Sequence, residues 1–467
     1  MKVMTSDLAF ASAAELLAGY RRKTLSPVDA TKAALERIEK INPKLNAFCL
    51  IDADGALAAA RESEARWMKG TPRGMLDGVT ATVKDLILAR GWPTLRGSKL
   101  VSRNQNWDAD APAVARLRGA GCVLLGKTTT PEFGWKALGD SPLTGITRNP
   151  WDPSRTPGGS SAGAAVAAAA GMGCLHIGTD GGGSIRIPSA FSGNFGLKPS
   201  FGRVPAYPPS YFGLVSHVGP MTRTVGDAAL MLTAMAGHED RDPYSLPSDG
   251  RDYTVGIEGG VRGLKIAYSP TLGYAQLNPE VRAATDRAAQ MFAELGAIVE
   301  PAEPGFVSPF GAFWTLWTTG AAKLVSTLPA DRLGELDPGL REAAEDGARR
   351  SARDWLDADA VRADLGQKMA AFHRRYDLLL TPSVAVPALP VSQDLNEPER
   401  ESEWIDWTPF SYPFNMTRQP AASIACGLTS AGLPIGLQIV GALFDDATVM
   451  RAARAFEAAQ PFVRPPV

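Results

Sequence analysis

Two glycine-rich stretches hold serines in settings suited to chemistry: Pro157-Gly-Gly-Ser-Ser-Ala-Gly163 and Gly178-Thr-Asp-Gly-Gly-Gly-Ser-Ile-Arg186. Each sets a serine in a turn that borders a regular element. Glycine there admits backbone conformations closed to other residues and lets a ligand approach main-chain N–H groups. A run such as Gly181-Gly182-Gly183-Ser184 can aim successive N–H donors at one point, which is what an oxyanion requires. A plain tight turn and a phosphate cradle are the competing readings. Neither stretch has the Gly-Lys-Ser/Thr ending of a phosphate loop, and the spacing is not G-x-G-x-x-G.

A serine nucleophile needs a base, and the usual one is histidine. The chain has 4 histidines. His176 lies inside an apolar run, while His217, His238 and His373 stand in unrelated contexts without a G-x-S-x-G motif. Lysine can serve instead when burial lowers its pKa enough to populate the neutral amine. Lys84, at the end of an apolar strand-like run and beside Asp85, is the candidate. An ordinary exposed lysine is the alternative for any single lysine.

Taken together, Gly158-Gly-Ser-Ser-Ala-Gly163, Gly178-Thr-Asp-Gly-Gly-Gly-Ser-Ile-Arg-Ile-Pro188 and Gly196-Leu-Lys-Pro199 resemble the amidase signature family. So do Gly219-Pro-Met-Thr-Arg-Thr-Val-Gly-Asp227, Gly432-Leu-Pro-Ile-Gly-Leu-Gln438 and the 24-residue separation of Ser160 from Ser184. The resemblance runs from about Ser12 to Phe456. It implies a single α/β domain with a mixed sheet and a Ser–cis-Ser–Lys triad that cleaves amides through an acyl-enzyme. Carried over residue by residue, the nucleophile falls on Ser184, the cis-peptide serine on Ser160 and the base on Lys84. The oxyanion donors fall on the backbone of Gly181, Gly182, Gly183 and Ser184. Gly134 and Trp135, after Pro131-Glu-Phe, fall where relatives carry pocket residues. Arg418, in Phe414-Asn-Met-Thr-Arg-Gln-Pro420, is the third expected substrate contact, and it departs from the glycine many relatives have. Ala162 is a milder departure, again from glycine. Arg186 is expected to hold its loop through backbone or carboxylate hydrogen bonds, with Asp180 as the structural partner of a basic group.

Trp314, Trp317, Trp404, Trp407 and Phe410 either wall the pocket or pack as core. They lean the substrate toward an apolar or aryl amide, with ester or carbamate side activity. Two other functions compete. An amidase subunit of a tRNA-dependent amidotransferase would share the triad, but Trp407-Thr-Pro-Phe-Ser-Tyr-Pro-Phe-Asn415 looks more like free-standing, aryl acylamidase-like members. A non-catalytic binding protein on the same fold is disfavoured because Lys84, Ser160 and Ser184 are all present.

The elements that must position these residues are legible as alternating strands and helices. Strands are expected over Gly78–Leu88, Cys122–Leu125, Leu175–Ile177, Leu264–Tyr268, Tyr376–Thr381 and Leu433–Val440. Ser12-Ala-Ala-Glu15 reads as a capping box, and Ser26-Pro27 opens a second helix that Asn42-Pro43 ends. Further helices are expected over Pro112–Gly119, Ser160–Ala170, Pro279–Leu295 and Asp445–Ala459. This alternation predicts one large α/β domain over 1–467, with a central twisted, mixed and largely parallel sheet under helices on both faces. Within it, N-terminal helices span about 5–65 and the catalytic core about 66–235. Residues 305–375 show no strand pattern and read as a helical insertion near the pocket. Ala385 to Trp407, rich in proline and acidic residues, reads as a long surface loop.

Composition narrows the partners. With 48 Lys+Arg against 49 Asp+Glu the formal net charge is −1, which offers no basic footprint for nucleic acid. Cys49, Cys122, Cys174 and Cys426 are far apart with no CxxC, so reduced, small apolar side chains are expected. No cluster has metal-ligand spacing, and neither metal nor cofactor is expected. The N-terminal apolar stretch is interrupted by Asp7 and Glu15 and followed by Arg21-Arg22-Lys23, unlike a signal peptide. A cytoplasmic protein acting on a small-molecule amide is expected, with no membrane and at most a second copy as partner.

Overall fold

The apolar runs that alternate with helices join into one eleven-stranded sheet. The computed structural model describes residues 8–391 and 406–467. In chain order the strands are β1 (Phe48–Ile51), β2 (Thr80–Lys84), β3 (Val123–Thr128), a small separate hairpin of β4 (Asp140–Ser141) and β5 (Gly145–Ile146), β6 (Leu175–Asp180), β7 (Phe195–Lys198) and β8 (His217–Thr222). The later strands are β9 (Lys265–Tyr268), β10 (Ile298–Pro301), β11 (Leu378–Pro382), β12 (Ala421–Leu428) and β13 (Pro434–Gly441). Across the sheet the order is β1-β3-β2-β6-β8-β7-β12-β13-β11-β9-β10.

The sheet is mixed, as expected. Its parallel pairs are gathered in two groups, β3-β2-β6 and β11-β9-β10. The expectation of a largely parallel sheet holds within those groups and gives way between them, where neighbours pair antiparallel. The reason is in the connections. A parallel pair needs a crossover of a dozen or more residues, whereas β12 turns straight back into β13.

Successive residues of the central strands feed different cores, because a strand points alternate side chains to opposite faces. Leu378 and Leu380 join one apolar cluster with the helices Val225–Met235, Pro279–Glu294 and Asp446–Ala459. Leu379 between them joins a second cluster with helix Phe310–Val325. Leu124 likewise faces the first cluster, while Val123 and Leu125 meet helices Pro27–Leu45 and Ala162–Ala169 on the other side. Both faces are therefore covered by helices. The Ser12 capping box forms as read, its Oγ accepting from the Glu15 N–H. The second helix runs past Pro43 to Leu45, because a proline in the last turn removes only one backbone donor. It ends where Asn46 turns left-handed and the Asn42 side chain accepts from Ala47 and Phe48 N–H.

The segment 305–375 is helical throughout its regular elements, with Phe310–Val325, Pro338–Ala348 and Ala352–Phe372. Most of the Ala385–Trp407 loop, Trp404 included, lies outside the described residues. Among the described residues no helix is long and apolar enough to cross a membrane.

Candidate active site

Strand β2 delivers the lysine. Ala81 and Val83 point into the first core cluster, so Thr80, Thr82 and Lys84 face the other side of the sheet. Lys84 is fully buried. Its Nζ lies 2.8 Å from Ser160 Oγ, 2.9 Å from Ser161 Oγ and 2.8 Å from Thr179 Oγ1. All three partners are hydroxyls, and no carboxylate among the described residues forms an ion pair with it. Burial pushes its pKa well below the ordinary lysine value, with the Asp180 charge opposing. An uncharged amine has two N–H donors and one lone pair, which three hydroxyls can satisfy.

Ser160 is brought to this amine by the turn ahead of helix Ala162–Ala169, where the Gly159–Ser160 peptide is cis. Gly159 is required there: a Cβ would sit 2.1 Å from the carbonyl oxygen of Leu138. The adjacent Ser161 ties the two motifs together, its N–H donating to the Ser184 carbonyl at 3.1 Å and its Oγ donating to the Thr179 carbonyl at 3.1 Å.

Strand β6 leads directly into Gly181-Gly-Gly-Ser184, and the short helix Arg186–Ser192 follows. Asp180, the last residue of β6, accepts from the N–H of Gly183 at 2.8 Å and of Ile185 at 3.1 Å. The Arg186 guanidinium grips the same carboxylate at 3.0 and 2.9 Å, then reaches Gln438 Oε1 at 2.7 Å, Asn415 Oδ1 at 2.6 Å and the Ser411 carbonyl at 2.9 Å. Burial alone would raise the Asp180 carboxyl, but the Arg186 charge and its hydrogen bonds hold it below the usual carboxylate range. Arg186 and Asp180 thus fasten the loop to β13 and the Ser411–Asn415 segment, as expected of them. Asn415 and Gln438 belong to this clamp as well. Neither is an expected site residue, although both lie in motifs that carry the family resemblance.

Ser184 Oγ opens on a cavity that Ser160, Thr179, Gly181 and Gly134 also line. Among the described residues it has no hydrogen-bond partner within 3.5 Å, Ser160 Oγ included; proton-transfer contacts of this kind commonly close only with substrate in place. The N–H groups of Gly181, Gly182 and Ser184 have no partner among the described residues either. Gly183 is a correction to the expected donor set. Its N–H is taken by Asp180, and its φ of 128° holds it where a Cβ would meet Ser411 Oγ at 2.5 Å.

A family model described as Amidase matches residues 29–450. The chain belongs to the amidase family. This amidase-family chain is 38% identical over 464 residues to an acylamidase of Rhodococcus erythropolis, covering 98% of this chain and 97% of that one. It is 35% identical over 481 residues to a glutamyl-tRNA(Gln) amidotransferase subunit of Myxococcus xanthus, covering 96% of this chain and 97% of the relative. Among solved structures it is similar to a bacterial aryl acylamidase of the amidase signature enzymes, with TM-score 0.91, 32% identity and 98% and 97% of the two chains covered. A 6-aminohexanoate cyclic dimer hydrolase in complex with its substrate follows, with TM-score 0.89, 28% identity and 98% and 99% covered.

The amidase cavity sorts the expected substrate contacts. Gly134 lines it, and its φ of 71° and the closeness of Leu86 and Ser160 leave no room for a Cβ. Trp135 does not line it; the ring is buried among Leu100 and Leu340, and its carbonyl accepts from Trp317 Nε1 at 3.1 Å. Arg418 is also placed elsewhere, with its guanidinium 4.8 Å from the Phe201 ring centroid. Its φ is 63°, in the left-handed region that favours glycine. Of the tryptophans, Trp317 lines the cavity and stacks 3.9 Å from Phe212. Trp314 donates to Asp346, and Trp407 stacks on Phe191 away from the cavity. Phe133, Tyr211 and Phe212 complete the apolar wall; they come from loops without periodicity, which carry no sequence signal.

The clamp makes its own prediction. Arg186→Ala strands the Asp180 carboxylate in a buried site and should cost about 3–5 kcal/mol of stability. Urea unfolding would show it as a lower midpoint at an unchanged slope. A loss under about 1 kcal/mol would show that Arg186 is not what secures the loop.

Proposed function

We propose that the protein hydrolyses a carboxylic amide to acid and amine through an acyl-enzyme on Ser184, with Ser160 as relay and Lys84 as base. The observation that supports this most is the fully buried Lys84 amine, bonded only to hydroxyls and joined by Ser160 to the cavity on which Ser184 opens. Neutral Lys84 takes the Ser160 proton as Ser160 takes the Ser184 proton. Ser184 Oγ then bonds to the substrate carbonyl carbon, and the oxyanion is received by the N–H groups of Gly181, Gly182 and Ser184. Ser160 returns a proton to the nitrogen as the C–N bond breaks. Water, deprotonated by the same pair, hydrolyses the ester. In other enzymes removal of one oxyanion donor costs roughly 100- to 1,000-fold in rate. The walls of Phe133, Phe212 and Trp317 favour an aryl or apolar substrate.

The test is turnover of a panel of aryl, alkyl and amino-acid amides by the purified chain, following acid and amine release. The likeness to an amidotransferase subunit supports a second reading, in which the site releases ammonia for a partner. That reading expects no hydrolysis of simple amides by the chain alone.

Two further outcomes are expected. Among the described residues no group of three or more His, Cys, Asp or Glu is placed to hold a metal ion, and the proposed steps need none. Activity should therefore survive EDTA; loss restored by a divalent ion would overturn the scheme. Activity should also rise with pH through the folded value of Lys84, which burial places below the usual 10.5. The sign for stability is the same. The unfolded lysine binds its proton more tightly, so the penalty of burying Lys84 is greatest below the folded value and fades as pH climbs toward 10.5. An activity profile with no acid limb, flat down to the pH at which the protein unfolds, would remove Lys84 as the titrating base.

A further inference from the structure

Arg96 stands in the wall of the same cavity with its charge unanswered. The side chain lines the cavity together with Ser184, Phe133 and Tyr211, and it is half-buried. Among the described residues its guanidinium has neither an ion pair nor a hydrogen bond. The acid near it in sequence and space, Asp85, is committed elsewhere: its carboxylate lies 2.9 Å from Lys127 Nζ. Burial lowers the Arg96 pKa, with the Tyr211 and Asp85 charges opposing. The guanidinium of Arg186, by contrast, is clamped at every nitrogen, so the two arginines beside the triad differ in kind.

The backbone holds this arginine in an unfavourable conformation to keep it there. Its φ is 58°, in the left-handed region that favours glycine. Its N–H donates to the carbonyl of Asp85, the residue after Lys84, at 3.1 Å, and its own carbonyl accepts from Phe133 N–H at 2.7 Å. Phe133 is itself left-handed at φ 50°, and Gly134 beside it touches the Ser160 environment. Arg96 is therefore bolted to both sides of the catalytic machinery. It also marks a junction. Arg96, Phe133, Tyr211 and Leu324 line the inner cavity and an outer cleft that carries Gln105 and Asn106. Strained non-glycine residues persist where the surroundings over-determine them, often at ligand clamps.

We infer that Arg96 is a specificity residue that receives a carboxylate on the substrate, so that the preferred substrates are aryl or alkyl amides bearing a carboxylate distant from the scissile bond. A planar guanidinium pairs with a carboxylate through two parallel charge-assisted bonds, and the apolar walls around it keep that pair from water. This inference rests on the amide-hydrolase reading for its choice of substrate, but not for its binding test.

The experiment uses two matched pairs. N-(4-nitrophenyl)succinamate against N-(4-nitrophenyl)pentanamide places the carboxylate on the acyl side. N-acetyl-4-aminobenzoate against N-acetyl-4-toluidine places it on the amine side. In the wild type the charged member of one pair should show the higher kcat/KM. Arg96→Gly relieves the backbone and removes the charge, and should lower that charged-to-neutral ratio about 10- to 100-fold, as expected for a charge-assisted hydrogen bond. Arg96→Gln provides the same comparison in case the glycine variant is poorly folded. A ratio unchanged in both pairs would overturn the inference. The second arm needs no turnover: calorimetric binding of the same two carboxylates to Ser184→Ala, with and without Arg96→Gly. Weaker binding by a similar factor supports the role of Arg96 even if the wild type hydrolyses nothing, in which case the hydrolase reading fails instead. Equal affinities in the two backgrounds overturn it.

Discussion

Ser184→Ala should lose about five to six orders of magnitude in turnover, the scale on which removal of a serine nucleophile acts, with no loss of fold. The fold should survive because Ser184 Oγ bonds to no described side chain. What holds the loop is backbone: Ser161 N–H on the Ser184 carbonyl, and Asp180 on the N–H groups of Gly183 and Ile185. Deleting an unpaired hydroxyl should move stability by no more than about 0.5 kcal/mol. Ser160→Ala is the contrasting variant, since it removes a partner of the buried Lys84 amine and should perturb both activity and stability. Mass spectrometry of a quenched wild-type reaction should find the acyl group on the peptide containing Ser184. An adduct on Ser160 or Ser161 would exchange the roles assigned here.

The three residues proposed as a triad stand out in the sequence because they sit in local motifs: glycine spacing, paired serines and a lysine closing an apolar strand. Each is a statement about a few consecutive residues, and the sheet merely brings β2 beside β6. The cavity wall is not legible in the same way. Phe133, Tyr211 and Phe212 come from loops with no period to read, and Arg96 lies in a segment without a motif. Arg418 shows the opposite case. Its segment suggests a pocket contact, whereas what the structure shows at Arg418 is a left-handed backbone.

The fold divides along similar lines. Helix Pro279–Glu294, with a clean period and a clear cap, lies close to its expected bounds, whereas strand β2 starts at Thr80 and stops at Lys84, well short of its expected end at Leu88. Strand β8 is absent from the expected strands because Gly219 and Pro220 argue against a central strand. Pairing with β6 on one side and β7 on the other overrides that local preference. Strand β12 likewise reads weakly, and its place is set by β13 and β7, partners the local pattern does not reveal. Those pairings are also what turned the centre of the sheet antiparallel.

Lys84→Arg should be nearly as damaging as Lys84→Ala. A positioned base supplies roughly 100- to 10,000-fold, and either change should remove at least that from acylation while substrate affinity changes far less. The reason lies in the proton inventory. Arginine keeps the positive charge but cannot be deprotonated at any useful pH, so it has no lone pair with which to take the Ser160 proton. A lysine that acted through its charge, orienting Ser160 or stabilising the oxyanion, would tolerate arginine far better. Its surroundings argue against that electrostatic role, since Nζ is enclosed by Ser160, Ser161 and Thr179 and burial disfavours the ammonium. Arginine is also larger, and overpacking a closed site costs about 1–3 kcal/mol. Lys84→Met therefore completes the set as a neutral chain of similar length, with circular dichroism and a melting curve on each variant. The decisive reading is the single-turnover acylation rate of folded Lys84→Arg. Near-normal acylation would mean that another group is the base, and the relay from Ser184 through Ser160 to Lys84 would have to be withdrawn.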